Sequence, residues 1–372
     1  MRFPARYAYL IFFLACLAVF VRLYQSKMSR PVAAEALQQP LQQNDSRNAE
    51  DFTGVDCGDR INKAYLSLPE HGGVIRIHQS CSFSTAIRFD VQEKYATMIG
   101  SGTSATELTY TGDATALIID SGSGVTSKTN RHENGFGLRD LALFGPSRRG
   151  RTTGILLGGK YGAEGVLLEN IQVSDFGVNI RLVNWAFHVK LSNVLSRAGG
   201  RLLDIPAGKD GQGENILAEH SVFSDATTGG SPLRHDKAVV IEAETGDTYF
   251  TNCAFDNAQV FVDGDQTKTN IGTKVVFTAS HFENPNGDIY PYIVTSKSAY
   301  NFVVFNGGDM LNNNTGKSPA EFIQHAGGTL AVQNVSFASR FESQPRAIRL
   351  LSPDAHVNVG FVRLSNVVRS VE

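Results

Sequence analysis

A six-residue pattern recurs along the chain and restricts it to a stacked fold. Its form is apolar, polar, Asn-like, apolar, any, apolar. It first appears as Leu138-Arg139-Asp140-Leu141-Ala142-Leu143. It returns as Leu168-Glu169-Asn170-Ile171-Gln172-Val173 and as Leu191-Ser192-Asn193-Val194-Leu195-Ser196. Further copies begin at Ala218, Phe250, Phe277, Phe305 and Val332. The fourth positions are 141, 171, 194, 221, 253, 280, 308 and 335, so the intervals are 30, 23, 27, 32, 27, 28 and 27 residues. One such unit cannot bury its inward face alone, so successive units must stack. A period of this length suits one coil of a parallel β-helix, with two or three short strands per coil. Leucine-rich repeats need a leucine skeleton that is missing here, and a propeller blade needs ~40 residues or more. No helical 3.6-residue period is sustained.

Two columns of the repeat have a physical reading. The sixth position gives Leu143, Val173, Ser196, Phe223, Phe255, Phe282, Met310 and Phe337. This is an inward row, and it accounts for a phenylalanine count of 23. The third position gives Asp140, Asn170, Asn193, His220, Asn252, Ala279, Gly307 and Asn334. Asn and Asp tolerate the left-handed conformation that a sharp bend between strands requires. Stacked Asn side chains also hydrogen-bond from coil to coil. His220 therefore reads as a ladder member rather than a catalyst.

The segment Asp56-Cys57-Gly58-Asp59-Arg60-Ile61-Asn62-Lys63-Ala64-Tyr65 is followed by Gly72-Gly73-Val74-Ile75-Arg76-Ile77. Together with Met98-Ile99-Gly100-Ser101-Gly102 and the repeat, these residues resemble the right-handed parallel β-helix proteins of the pectate-lyase-like superfamily. The resemblance implies an all-β solenoid of about 9–11 coils over 52–372, opened by a short N-terminal cap helix. It implies a groove along one face that meets polysaccharide. No catalytic signature of the polygalacturonases, pectate lyases or alginate epimerases is present, so no one reaction is implied. Cys57 beside the cap and Cys81 after the first strand are expected to staple the cap to the first coil in an oxidising compartment. Cys253 takes an inward position and reads as a buried free thiol. There is no CxxC and no Cys/His spacing of the zinc type, so no metal site is expected from motifs.

Residues 1–23 carry Arg2 and Arg6 before an uncharged run from Tyr7 to Val21. Such a run is either a cleaved signal peptide or an uncleaved signal anchor. Either reading makes the rest extracytoplasmic and limits membrane contact to this segment. Residues 24–51, rich in Gln, Ala, Asn and Ser, read as a flexible linker. The whole chain has 34 basic and 36 acidic residues. Beyond residue 51 there remain 28 basic and 32 acidic residues. A mildly acidic body offers no field for a polyanion, which excludes nucleic acid as a partner by bulk charge.

Candidate chemistry lies in a polar column just after the inward row. Arg197, Asp225, Asp256 and Glu283 are taken as its members, one per coil, and as the catalytic candidates. Coils are ~4.8 Å apart, so carboxylates in a column approach the spacing that glycosidases use. Trp185 is a candidate sugar platform, and Lys209, His235 and Asp236 lie in loops positioned to reach a groove. Two functions remain open. One is an exported polysaccharide lyase or inverting glycoside hydrolase. The other is a non-catalytic surface protein that holds glycan. A cofactor is expected only for a lyase, as Ca2+ held by carboxylates.

Overall fold

The computed structural model describes residues 45–90, 94–120, 136–159, 162–184, 186–207, 214–225, 237–243, 246–264, 272–283, 291–313, 320–340 and 344–368. Trp185, Lys209, His235 and Asp236 lie outside these residues, as do the apolar run of 1–23 and the linker as far as 44. Among the described residues, no helix is long and apolar enough to cross a membrane.

Every named strand pairing is parallel, and each joins one coil to the next. Ten strands, from Ile87–Asp90 to Arg346–Leu350, stack into one sheet. A second sheet holds 19 strands because each of its rungs is bent into two arms. Gly137–Phe144, Leu167–Ser174, Thr273–Glu283 and Phe302–Asn312 run through both arms without a break. Each full coil is thus a first arm, a bend, a second arm, a turn, and one strand of the ten-stranded sheet. This is the parallel β-helix that the repeat requires.

The bend sits where the third position of the repeat falls. Asp140, Asn170, Asn193, His220, Asn252, Ala279, Gly307 and Asn334 all have positive φ, between 49° and 76°. Their side chains form part of a ladder. Asn170 donates to Asp140 at 3.1 Å, Asn193 to Asn170 at 2.8 Å, and Asn252 to the His220 ring at 3.4 Å. A second bend follows the second arm at Asp175, Ala198 and Asn257, again with positive φ. The repeat did not announce this one, because its residue type varies.

The interior has two phenylalanine rows rather than one. Phe223, Phe255 and Phe282 stack at centroid distances of 5.3 and 4.6 Å. Phe250, Phe277 and Phe305, from the first position of the repeat, stack beside them at 5.2 and 4.7 Å. The rows meet edge to face, for example Phe250 against Phe255 at 75°. Ser196 interrupts the first row but is satisfied. It accepts from Asn179 at 3.1 Å and donates to the Leu202 carbonyl at 2.8 Å.

The first coil is closed by the helix Cys57–Leu66, which buries Cys57, Ile61, Ala64 and Tyr65. Asp56 caps it and also accepts from the backbone N–H groups of Ser84 and Thr85. Burial pushes the Asp56 carboxyl up, but these backbone donors outweigh it and hold the group at about 2. The Cys57–Cys81 disulfide ties the same helix to the first coil, as expected. Cys253 is a buried free thiol whose burial pushes it up to about 11. Gly72 turns the chain into the first coil at φ +94°, and a Cβ there would meet the Tyr95 carbonyl oxygen at 1.8 Å.

One boundary is corrected. Ser46–Asn48, inside the stretch expected to be linker, pairs with Val74, Ile75 and Arg76. It covers the open edge of the first strand and extends the solenoid to residue 45, because an exposed strand edge is unstable unless paired. Removing the disulfide as Cys57→Ser with Cys81→Ser is expected to lower stability by about 2–4 kcal/mol. Chemical denaturation of both forms measures it, and equal midpoints would show that Asp56 alone secures the cap.

A carboxylate and histidine cluster on the second arm

Register decides which polar side chains meet. In the second arm, Arg197 pairs with Ser224, Ser224 with Asp256, and Asp256 with Glu283. The outward column is therefore Arg197, Ser224, Asp256, Glu283. Asp256 and Glu283 are direct neighbours. Arg197 lies two rungs away, ~10 Å along the axis, so it does not share a site with the carboxylates. Instead Gln172, with its amide oxygen toward Arg197, accepts from Nε at 3.2 Å and Nη2 at 3.1 Å.

Asp225 is not in the column. It is one residue past Ser224, where the chain has turned inward, and it is fully buried with Arg148 at 3.6 Å. Its expected place in the outward column is corrected: the register puts Ser224 there, and Asp225 faces the interior.

The neighbouring outward column supplies what the sequence column lacked. Ala254 pairs with His281, and His281 with Asp309. His281 Nδ1 lies 2.9 Å from Asp309 Oδ2, and its Nε2 lies 3.3 Å from Glu283 Oε2. Asn313 donates to the other oxygen of Glu283. One donor atom each from Asp256, His281 and Glu283 lies within 4.8 Å of the others. The cluster thus spans three successive rungs. Each side chain points outward because strand residues alternate faces, with Phe255, Phe282 and Met310 filling the inward positions between them.

The electrostatics follow from this packing. The hydrogen bond to Asp309, aided by the charges of Asp309 and Glu283, outweighs desolvation and pushes His281 up to about 9. His281 is therefore an imidazolium at neutral pH. Burial pushes the Asp256 carboxyl up, the positive His281 pulls it down, and Glu283 pushes it up again, with a net rise. Since the folded value of His281 exceeds the ordinary 6.5, its contribution to stability is fully present below about 6.5. It is lost as pH rises through about 9. The melting temperature of the native protein should fall more steeply between these values than that of His281→Gln. Parallel curves would mean that the triad does not couple to folding.

His281 and Asp309 were visible in the repeat but not as a pair. The signal is the fifth position of successive copies, where Ala254, His281 and Asp309 line up. Farther along the same outward column lie Leu195 and Gln172. They line a cleft of about 300 Å³ together with Gly102, Asp140, Asn170 and Asn193. Leu195 is three rungs from His281, ~14 Å, so cleft and cluster lie along one face.

No protein-family model matches the chain, and no curated protein matches it in sequence. Solved structures do match in shape. The A-module of the mannuronan C-5 epimerase AlgE4 of Azotobacter vinelandii aligns with TM-score 0.52 and 14% identity, over 88% of this chain and 97% of that one. The enzymatically active domain of tailspike protein 4 of bacteriophage CBA120 aligns with TM-score 0.59 and 15% identity, over 84% of this chain but 44% of that one. A DFA-IIIase of Arthrobacter chlorophenolicus A6 aligns with TM-score 0.51 and 13% identity, over 85% and 84%. At such identities the likeness concerns the fold. The chain is a parallel β-helix.

Proposed function

We propose that the protein cleaves a polysaccharide lying along the outward face of the second arm, as a retaining glycoside hydrolase. The observation that carries this is the placement of Asp256 beside Glu283 on adjacent rungs, with donor atoms within 4.8 Å. Retaining enzymes hold their carboxyl groups ~5–5.5 Å apart, whereas inverting ones need ~6.5–9.5 Å to admit a water. The spacing favours the former and disfavours the inverting chemistry expected from a column of carboxylates.

In this reading Asp256, whose carboxyl is pushed up by burial, protonates the leaving glycosidic oxygen. Glu283 attacks the anomeric carbon and forms a glycosyl ester. Asp256, now a carboxylate, takes a proton from the water that hydrolyses that ester. His281 and Asn313 hold the two Glu283 oxygens. A lyase needs a neutral base for the proton beside the uronate carboxylate, and the nearest histidine is held protonated by Asp309. Arg197 becomes a substrate contact, beside Gln172 in the cleft. Polysaccharide as substrate is supported by a structural neighbour named as a mannuronan epimerase. An oxidising, extracytoplasmic site of action is supported by the disulfide.

The test is a panel of acidic and neutral glycans assayed for new reducing ends and for unsaturated ends, with NMR of the first product. Release of a product with retained anomeric configuration is expected. Unsaturated ends would select the lyase. Binding without release of either kind would select the non-catalytic surface protein.

A further inference from the structure

We propose that Asp256, His281 and Glu283 form a binding site for one divalent cation of the zinc class. The donor set is one imidazole nitrogen, which releases its proton to solvent as the ion binds, and two carboxylate oxygens, brought from adjacent rungs. Three protein ligands with room for a fourth, non-protein ligand is the pattern of an open zinc site. In a tetrahedral site with bonds of ~2.0–2.1 Å, neighbouring donors are ~3.3 Å apart. His281 Nε2 and Glu283 Oε2 stand at 3.3 Å.

Two features of the surroundings go with that spacing. The far nitrogen of His281 is bound to the Asp309 carboxylate at 2.9 Å, which aims Nε2 into the cluster. Carboxylate–histidine–metal relays of this kind orient metal-ligating imidazoles in general. The far oxygen of Glu283 is held by Asn313, which leaves Oε2 turned toward the same point. Asp256 is half-buried and has no hydrogen-bond donor among the described residues, so its lone pairs remain available. Hard cations fit poorly. Ca2+ takes 6–8 oxygens, whereas imidazole suits Zn2+, Co2+ and their neighbours.

No linear motif announces such a site. The ligands are 25 and 2 residues apart, at 256, 281 and 283, because a solenoid assembles ligands along its column. Binding stands independently of the hydrolase reading. Its consequence, inhibition through occupation of Asp256 and Glu283, rests on that reading.

The full chain, freed of metal with a chelator, is titrated with ZnCl2 by calorimetry and with CoCl2 by visible absorption. The expected result is one ion per chain, with the strong visible bands of low-coordinate Co2+. His281→Gln should abolish binding, and Asp309→Asn, which removes no ligand, should weaken it ~10–100-fold. A millimolar excess of Ca2+ should not displace the ion. Absence of saturable binding, or equal affinity in His281→Gln, would overturn the site. His281 is on the outer surface of its strand, and circular dichroism of each variant verifies the fold. If Zn2+ binds as stated yet leaves glycan release unchanged, the site stands and the roles given to Asp256 and Glu283 fail.

Discussion

Asp256→Asn is expected to lower kcat for glycan cleavage by ~10²–10⁴, the range that a positioned general acid supplies. The amide keeps the shape of the carboxyl and removes only its proton. Substrate affinity, read from binding to an oligosaccharide that the native enzyme cleaves slowly, should change little. Two controls make the result specific. Activity of the native protein should fall as pH rises through the elevated value of Asp256, because the acid form is then lost; the variant should lack that limb. Asp225→Asn should leave kcat nearly intact and instead lower stability by about 3–5 kcal/mol, since it removes the buried charge that faces the Arg148 guanidinium. The reverse pattern, with Asp225 controlling turnover and Asp256 controlling stability, would return the catalytic role to the buried carboxylate. Full activity of Asp256→Asn would refute the assignment.

The two carboxylates illustrate what was legible in the sequence. The bend residues could be read because a left-handed backbone restricts residue type. Eight third-position residues share positive φ, including His220 and Ala279, which only the repeat frame identifies. The inward row could be read because burial restricts polarity, and its one polar member, Ser196, is satisfied internally. The outward columns carry neither constraint. There a shift of one residue, from Ser224 to Asp225, moves from the column that holds Asp256 and Glu283 to a buried ion pair with Arg148. Asp256 and Glu283 each directly follow an inward phenylalanine, and they pair across adjacent rungs. The pairing of His281 with Asp309 is a contact between coils, which no single copy of the repeat displays. Taken alone, each resembles any other polar side chain on an outward position of a strand.

The largest loss of stability from one core substitution is expected for Phe255→Ala. Phe255 is fully buried and sits at the crossing of both aromatic rows. It stacks on Phe223 and Phe282 and meets Phe250 and Phe277 edge-on at 5.2 and 5.7 Å. Truncation removes the transfer free energy of the ring and leaves a cavity that rigid coils above and below cannot close, a cost of ~3–5 kcal/mol. The stacked neighbours place it at the upper end, because aromatic pairs contribute beyond their buried area. Phe255→Leu keeps most of the volume and should cost clearly less. Urea unfolding of the three proteins measures the series, and equal losses for Leu and Ala would show that the rows are not rigidly packed. The substitution also links core to chemistry. Phe255 immediately precedes Asp256 in a three-residue strand, Ala254–Asp256. Because coils are hydrogen-bonded on both sides of that strand, the cavity should remain interior and the outward carboxyl should keep its register. Turnover by Phe255→Ala, measured well below its unfolding transition, should then stay within a few-fold of the native rate. A loss as large as that of Asp256→Asn would mean that the stacked rings themselves set the position of the proton donor.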